Sequence, residues 1–154
     1  MAYRITGLSP EPFAGLFALD DTQLAERNAE RVTVTSKPGF PCRISLDDAD
    51  AGEAVILLHH VSHDVATPYR SAYAIYVREG VTAADYVDAV PPVMKGRPIA
   101  LRGFDASGRL KGASLAAPGE ADEAIRTLFD ADEIAYIHAH NAAHGCFAAR
   151  VDRA

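Results

Sequence analysis

The sequence lacks the features that define several classes of protein. It has no tryptophan and only two cysteines in 154 residues, so a disulfide framework is excluded. No apolar run is long enough to span a bilayer, and the N-terminal stretch contains no apolar core of a signal peptide. We therefore expect a cytoplasmic protein in which Cys42 and Cys146 are thiols.

Basic residues are also scarce. Lysine and arginine together number 15 against 21 acidic residues, which gives a formal net charge of −6. A protein that binds nucleic acid or an anionic membrane needs a basic stripe that displaces counterions, and none is present. We therefore expect neither nucleic acid nor a membrane as a partner. Most of the basic residues are arginines, whose planar guanidinium suits carboxylates and phosphates.

What is present fits a globular protein. Apolar residues make up 49% of the chain and charged residues 23%, the usual balance of a water-soluble domain. The length is sufficient for one hydrophobic core. No repeat, low-complexity segment or linker interrupts the sequence, so we predict a single domain over residues 1–154.

Hydrophobic periodicity predicts an α+β fold, with a largely antiparallel sheet of about six or seven strands and three or four short helices. Residues 54–61 are apolar on both faces and should form an interior strand that is covered on both sides. Strict alternation predicts a strand over residues 42–46, and high β-propensity predicts another over 71–77. Asp105–Gly108 has the composition of a hairpin turn.

Four segments favour helix. Ser9–Glu11 is typical of a helix start, and a residue of the pair Asp20–Asp21 should cap a second short helix. Thr82–Asp85 resembles a capping box, which predicts a helix that must end at Pro91. Glu120–Phe129 has the clearest amphipathic pattern of the chain.

The segment HAHNAAHGC, residues 138–146, contains half of the six histidines. We predict that it is the end of a strand followed by a turn, after which FAARV returns antiparallel. Side chains alternate along a strand, so His138 and His140 should share a face with Ile134 and Tyr136. The residues that alternate with these four lie on the opposite face of the strand, which we expect to pack against a helix.

Cys146 is a candidate nucleophile in this segment. A reactive thiol needs a lowered pKa, which an imidazolium or an arginine can provide. The residues of these types that are close in sequence are His138, His140, His144 and Arg150. The alternative is a small buried apolar residue, the usual role of a free cysteine. Zinc signatures usually contain two paired clusters and this segment has one, so we predict no metal site. A metal held by His138, His140 and Cys146 stays open as an alternative.

Three arginines are candidates for anion binding. Arg43, Arg70 and Arg150 lie in or beside predicted strands, and Arg70 follows a constrained Pro68-Tyr69 turn. A guanidinium on a fixed element suits a defined anion contact. For each of them, an internal salt bridge is the alternative.

Several segments of the chain resemble a bacterial family catalogued as domain of unknown function 1203. The resemblance is carried by RITGL, KPGFPCRISL, TPYRSAYAIYVREG and YIHAHNAAHGCFAARVDRA. The family pattern recurs at Pro41–Arg43, Pro68–Arg70, His138, His140, Asn141, Gly145–Cys146 and Arg150. It does not recur at Tyr73 or His144. The resemblance implies which residues form a site, and it implies no activity.

Two hypotheses for function follow. In the first, the protein is a small-molecule binder or enzyme with a polar pocket for a small anionic molecule. Its candidate catalytic residues are His138, His140 and Cys146, and its candidate ligand-binding residues are Cys42, Arg43, Arg70, Asn141 and Arg150. In the second, it is a non-catalytic homodimeric interaction domain in which these residues form a buried polar network. No glycine-rich phosphate loop or HExxH motif is present, so the sequence identifies no cofactor.

Overall fold

The computed structural model describes residues 1–154, which form nine strands and four short helices. The strands are β1 (Tyr3–Thr6), β2 (Ala29–Thr33), β3 (Ala54–His63), β4 (Ser71–Arg78), β5 (Asp85–Val87), β6 (Ile99–Phe104), β7 (Leu110–Ala116), β8 (Tyr136–Asn141) and β9 (Phe147–Arg153). The helices are α1 (Glu11–Ala14), α2 (Asp21–Ala25), α3 (Pro92–Lys95) and α4 (Ala121–Phe129), and a 3₁₀ turn (Gly15–Ala18) follows α1. The predicted α+β class is confirmed. None of the helices has the length and apolar character needed to cross a membrane.

The strands divide into two antiparallel sheets. Six strands have the order β5-β1-β9-β8-β6-β7, and three have the order β2-β3-β4. Alternation identifies strands but not their partners, so the sequence indicated one sheet where there are two. Strand β3 is ten residues long, and its C-terminal residue, His63, reaches the aromatic residues of the larger sheet.

The interior position predicted for residues 54–61 is confirmed, because β3 lies between β2 and β4. Its two faces pack in different cores. Val55 packs with Val34 and Ala49, whereas Ile56 and Leu58 belong to a core that includes Phe13 and Leu24 of the N-terminal helices. A strand covered on both faces accommodates an uninterrupted apolar run.

The largest core lies between the six-stranded sheet and helices α3 and α4. Ile125 and Phe129 of α4 pack in the same cluster as Ile137 and Ala139 of β8, as the alternation in the sequence predicted. Ile134 is an exception to that prediction. It precedes β8 and packs in this helical core, because strand alternation begins only at the first paired residue.

Residues 42–46 do not form the predicted strand. Only isolated bridges occur there, from Pro41 to Asp48 and from Cys42 to Tyr76, and Leu46 has a left-handed backbone with φ +53°. The alternating apolar residues are nevertheless buried, because the segment runs between two cores: Cys42 packs in one and Leu46 in the other. Burial from two sides produced a pattern that resembles a strand.

The helix predicted to begin at Thr82–Asp85 is also absent. Residues 85–87 are strand β5, which pairs with β1 at the edge of the large sheet. The backbone N–H of Ala84 donates to the carbonyl oxygen of Ile44 at 2.8 Å, so the segment is held in an extended form by a distant partner. The helix occurs later, as α3, with Pro92 in its first turn, where a missing N–H has no cost.

Candidate functional site

The face of β8 opposite the helices carries Tyr136, His138 and His140, all of them buried. The end of β3 packs on this face, where the His63 ring lies 4.8 Å from the ring of His138 and 4.2 Å from that of Phe104. We call His63, His138 and His140 the histidine layer. It lies between the two sheets.

Hydrogen bonds fix two of these rings. His63 donates from Nδ1 to the carbonyl oxygen of Tyr69 at 2.8 Å, and its Nε2 accepts from the Tyr136 hydroxyl at 2.6 Å. His140 donates from Nδ1 to the carbonyl oxygen of Gly145 at 2.9 Å. A carbonyl oxygen only accepts, so in the neutral rings the proton is on Nδ1 and Nε2 carries the lone pair.

Burial keeps His138 and His140 neutral. The pKa of His138 is lowered to about 3, chiefly by burial and further by the nearby His63 and Arg150. Burial also lowers the pKa of His140 to about 4, although its hydrogen bond to Gly145 opposes the shift. A neutral imidazole supplies no positive charge, so neither histidine acts as the cationic partner that a nucleophilic Cys146 requires.

A cavity of about 490 Å³ opens beside the histidine layer. It lies where the β8–β9 turn meets β4 and the segment before β6. Its lining comes from five parts of the chain: Gly39, Pro41 and Arg43; Leu57; Tyr73, Ala74 and Tyr76; Arg97 and Pro98; and Asn141, Ala142, Ala143, His144 and Cys146. The volume is in the range of sites that bind small organic molecules.

Arg43 is the buried cation of this cavity, with 2% of its surface exposed. Its backbone N–H donates to the carbonyl oxygen of Tyr76 at 3.1 Å, and its own carbonyl oxygen accepts from Leu8. Its guanidinium donates from Nε to the carbonyl oxygen of Phe147 at 2.8 Å, from Nη1 to that of Pro41 at 2.5 Å and from Nη2 to Cys146 Sγ at 3.1 Å. Burial lowers the pKa of Arg43.

No carboxylate forms an ion pair with Arg43, whose partners are two carbonyl oxygens and one sulfur. Arginine stays protonated in proteins, and an uncompensated charge inside a protein is strongly unfavourable. The neighbouring Arg97 is different. It binds Asp48 through both terminal nitrogens, at 3.0 and 2.5 Å. Of the two arginines that line the cavity, Arg43 is therefore the one without a carboxylate partner.

Cys146 and Asn141 complete this group from the two ends of the β8–β9 turn. Asn141 Nδ2 donates to Cys146 Sγ at 3.5 Å, and the Asn141 Oδ1 atom is buried without a hydrogen-bond partner. Gly145 closes the turn with φ +78°, and its N–H donates to the carbonyl oxygen of Asn141 at 2.7 Å. The left-handed backbone at Gly145 thus places the thiol beside Asn141.

Three other predicted site residues lie elsewhere. Cys42 is fully buried in an apolar core and does not line the cavity. Arg70 is exposed and pairs with Asp64 at 3.0 Å. Arg150 is exposed as well; it pairs with Asp152 at 2.8 Å and lies over the Tyr136 ring. For both of these arginines the structure shows the salt bridge that the sequence left as the alternative.

The structure thus sorts the eight predicted residues into separate places. Arg43, Asn141 and Cys146 meet at the cavity, while His138 and His140 lie in the histidine layer behind it. No group of three or more His, Cys, Asp or Glu side chains is arranged to hold a metal ion.

The sequence did not single out His63, Tyr73 or Arg97 as members of the site. His63 lies beyond the strand predicted over residues 54–61, but β3 extends to it. Tyr73 packs against His140 with ring centroids 5.1 Å apart and accepts from Arg102 at 3.1 Å. Alternation along β4 was the signal available for Tyr73. For Arg97 there was none, because its contact with Asp48 spans 49 residues.

Comparison with protein families identifies the chain. A family described as "Protein of unknown function (DUF1203)" matches residues 39–153. The chain belongs to this family. The resemblance seen in the sequence is thereby confirmed, and the match includes every residue that lines the cavity. No curated protein and no solved structure matches this DUF1203 chain.

Proposed function

We propose that this DUF1203 protein binds a small anionic molecule in the cavity lined by Arg43, Asn141 and Cys146. The observation that carries the proposal is the buried Arg43 guanidinium, which has no carboxylate partner. Bringing an unpaired charge out of water costs several kcal/mol, and a bound anion would offset part of that cost. Three backbone and thiol contacts already hold the guanidinium in place for such a ligand.

The donors of Arg43 support this assignment. A guanidinium has five N–H groups, and one each on Nε, Nη1 and Nη2 is used within the protein. This leaves one on each terminal nitrogen, and N–H groups on neighbouring guanidinium nitrogens can hold a carboxylate or phosphate in a forked contact. Asn141 Oδ1 has no partner and matches a donor on the same ligand, such as a hydroxyl or an amine.

The lining also bears on the size of the ligand. Pro41, Leu57, Tyr73, Tyr76 and Pro98 supply apolar and aromatic surface around the single unpaired cation. Sites for small organic molecules combine such surface with a few fixed polar groups. We therefore infer a small organic acid with an apolar body. A larger depression of about 630 Å³ beside α2 and β2 has no buried charged side chain, and we assign no function to it.

We further propose that the protein acts in the bacterial cytoplasm. Both of its cysteines are free thiols, which is the usual state of cysteine in a reducing compartment.

Binding can be tested by calorimetry and thermal denaturation with acetate, benzoate and inorganic phosphate. We expect benzoate to bind, and at about 100 times its Kd it should stabilise the fold by about 2.7 kcal/mol. Arg43→Gln should abolish binding, whereas Arg70→Gln, a substitution at an exposed arginine outside the cavity, should not. If none of the three anions binds, or if Arg43→Gln binds them as well as the wild type, the proposal is wrong.

A homodimeric interaction domain is the second candidate. Strand β7 is an open edge of the large sheet, and Leu115 on it is 70% exposed. An open edge with an exposed apolar residue favours pairing with a second chain. Analytical ultracentrifugation of the wild type and of Leu115→Lys tests this: a wild-type dimer that the substitution dissociates supports it, and a monomeric wild type excludes it.

A further inference from the structure

We propose that Cys146 is the reacting group of this site, a nucleophile toward small carboxylates that carry an electrophilic carbon next to the carboxylate. This inference rests on the proposed anion binding at Arg43. It goes further in assigning a chemical reaction and the class of substrate.

The surroundings of the sulfur support a nucleophilic role. Cys146 Sγ accepts from Arg43 Nη2 at 3.1 Å and from Asn141 Nδ2 at 3.5 Å. Both contacts come from donors, and one donor is a cation, so both stabilise negative charge on the sulfur. Thiolate is the reactive form of cysteine.

Cys146 is also the more accessible of the two cysteines. Cys146 is partly exposed and lines the cavity, whereas Cys42 is fully buried and its sulfur accepts from the backbone N–H of Ile44 at 3.4 Å. One chain therefore contains a candidate reactive thiol and an enclosed thiol. The second serves as an internal reference for any chemical modification.

Arg43 connects binding with reaction. The Nη2 atom that contacts Sγ also carries one of the two unused N–H groups. A carboxylate held there lies next to the sulfur, and so does the carbon attached to that carboxylate. Holding both reactants on one guanidinium raises their effective concentration.

The step can be written with iodoacetate as the probe. The Cys146 thiol loses its proton to solvent, and the resulting thiolate attacks the methylene carbon. The S–C bond forms while the C–I bond breaks, and iodide leaves with the bonding electron pair. No oxidant, metal or cofactor takes part, and the product is a carboxymethyl thioether whose carboxylate stays beside Arg43.

The experiment compares iodoacetate with iodoacetamide, which is similar in size and has no charge. Rate constants are measured at Cys146 and at Cys42 by mass spectrometry, on the native protein and on the urea-unfolded chain. We expect the iodoacetate-to-iodoacetamide rate ratio at native Cys146 to exceed the unfolded ratio about tenfold or more, because a nearby cation attracts the anionic reagent. Acetate should slow the iodoacetate reaction, and native Cys42 should stay unmodified.

Variants separate the role of Arg43 from a general effect of the fold. Arg43→Gln should return the rate ratio to the unfolded value, Arg43→Lys should keep part of the preference, and Arg70→Gln should leave it unchanged. If Arg43→Gln does not fold, which rapid modification of Cys42 would reveal, the ratio and the acetate competition on the wild type still decide the question.

Three results would count against the inference, and they have different consequences. In the first, Cys146→Ser binds acetate or benzoate by calorimetry, but the iodoacetate-to-iodoacetamide rate ratio at wild-type Cys146 is the same as in the unfolded chain. This result would leave the anion site intact and show that Cys146 is not the proposed nucleophile. In the second, the rate ratio at Cys146 is the same as in the unfolded chain and no anion binds. This result would contradict both proposals. Failure of native Cys146 to react with either reagent also counts against the inference.

Discussion

Lowering the pH from 7 to 5 should destabilise the protein through His138 and His140. Both are at most 3% exposed, and their pKa values in the folded protein are lowered to about 3 and about 4 by burial. In the unfolded chain a histidine titrates near pH 6.5. Between these values the unfolded chain binds more protons than the folded protein, so stability falls as the pH falls.

The size of the effect follows from this difference. At pH 5 both histidines are still neutral in the folded state, while in the unfolded state both are almost fully protonated. Each therefore costs about 2 kcal/mol relative to pH 7, or about 4 kcal/mol together. That is a large share of the roughly 5–15 kcal/mol by which a domain is usually stable. The half-buried His60, whose pKa burial also lowers, adds to the loss in the same direction.

Carboxylates act in a lower pH range. Burial alone would raise the pKa of Asp48, but the hydrogen bonds from Arg97 and Gly39 outweigh it and the pKa is lowered. The stability from such a group is present above its unfolded pKa near 4 and is lost as the pH falls through the folded value. The interval between pH 7 and pH 5 thus reports mainly on histidines.

Urea denaturation at pH 7, 6 and 5 measures the effect. His138→Phe, which suits the aromatic surroundings of Phe104 and Phe147, should remove about 2 kcal/mol of the pH-dependent loss. His144→Gln changes an exposed residue of the turn and serves as the control. A loss below about 1 kcal/mol between pH 7 and 5, or an unchanged pH dependence in His138→Phe, would refute the reasoning.

Two further substitutions test the packing and a helix cap. Gly7→Ala should destabilise the fold by about 3 kcal/mol or more in urea denaturation, because the added Cβ would lie 1.8 Å from the backbone oxygen of Ile44. The control Gly15→Ala should be near neutral, because its Cβ would meet no atom within 4 Å. Equal effects of the two substitutions would contradict the structure. Asp20→Ala should cost about 1 kcal/mol, since it removes the side chain that accepts from the Gln23 N–H in the capping box of α2, and a cost near zero would show that the cap does not contribute.

Local sequence patterns predicted the parts of the site that depend on local structure. Two-residue alternation placed His138 and His140 together, and their burial follows from the position of β8 inside the large sheet. The Asp105 hairpin turn was likewise predictable, because the Asp105 side chain accepts from the N–H groups of Ser107 and Arg109.

The other parts of the site depend on contacts between distant segments of the chain, which no local sequence pattern reveals. Arg43, Arg70 and Arg150 looked alike in the sequence, yet only Arg43 is buried. The difference arises because residues 42–46 run between two cores, whereas the other two arginines meet nearby carboxylates of Asp64 and Asp152. Which arginine lacks an acidic partner becomes visible only once both sheets are assembled.

The contact between Arg43 and Cys146 joins residues 103 positions apart, and this separation has a kinetic consequence. Closing so long a segment has an entropic cost that grows with its length, and nonlocal contacts slow folding. The β6–β7 hairpin needs only a short turn, whereas the cavity needs the N-terminal and C-terminal parts of the chain in place together. We expect the native accessibility of Cys146 to be established only in the last phase of refolding, after most of the secondary structure has formed.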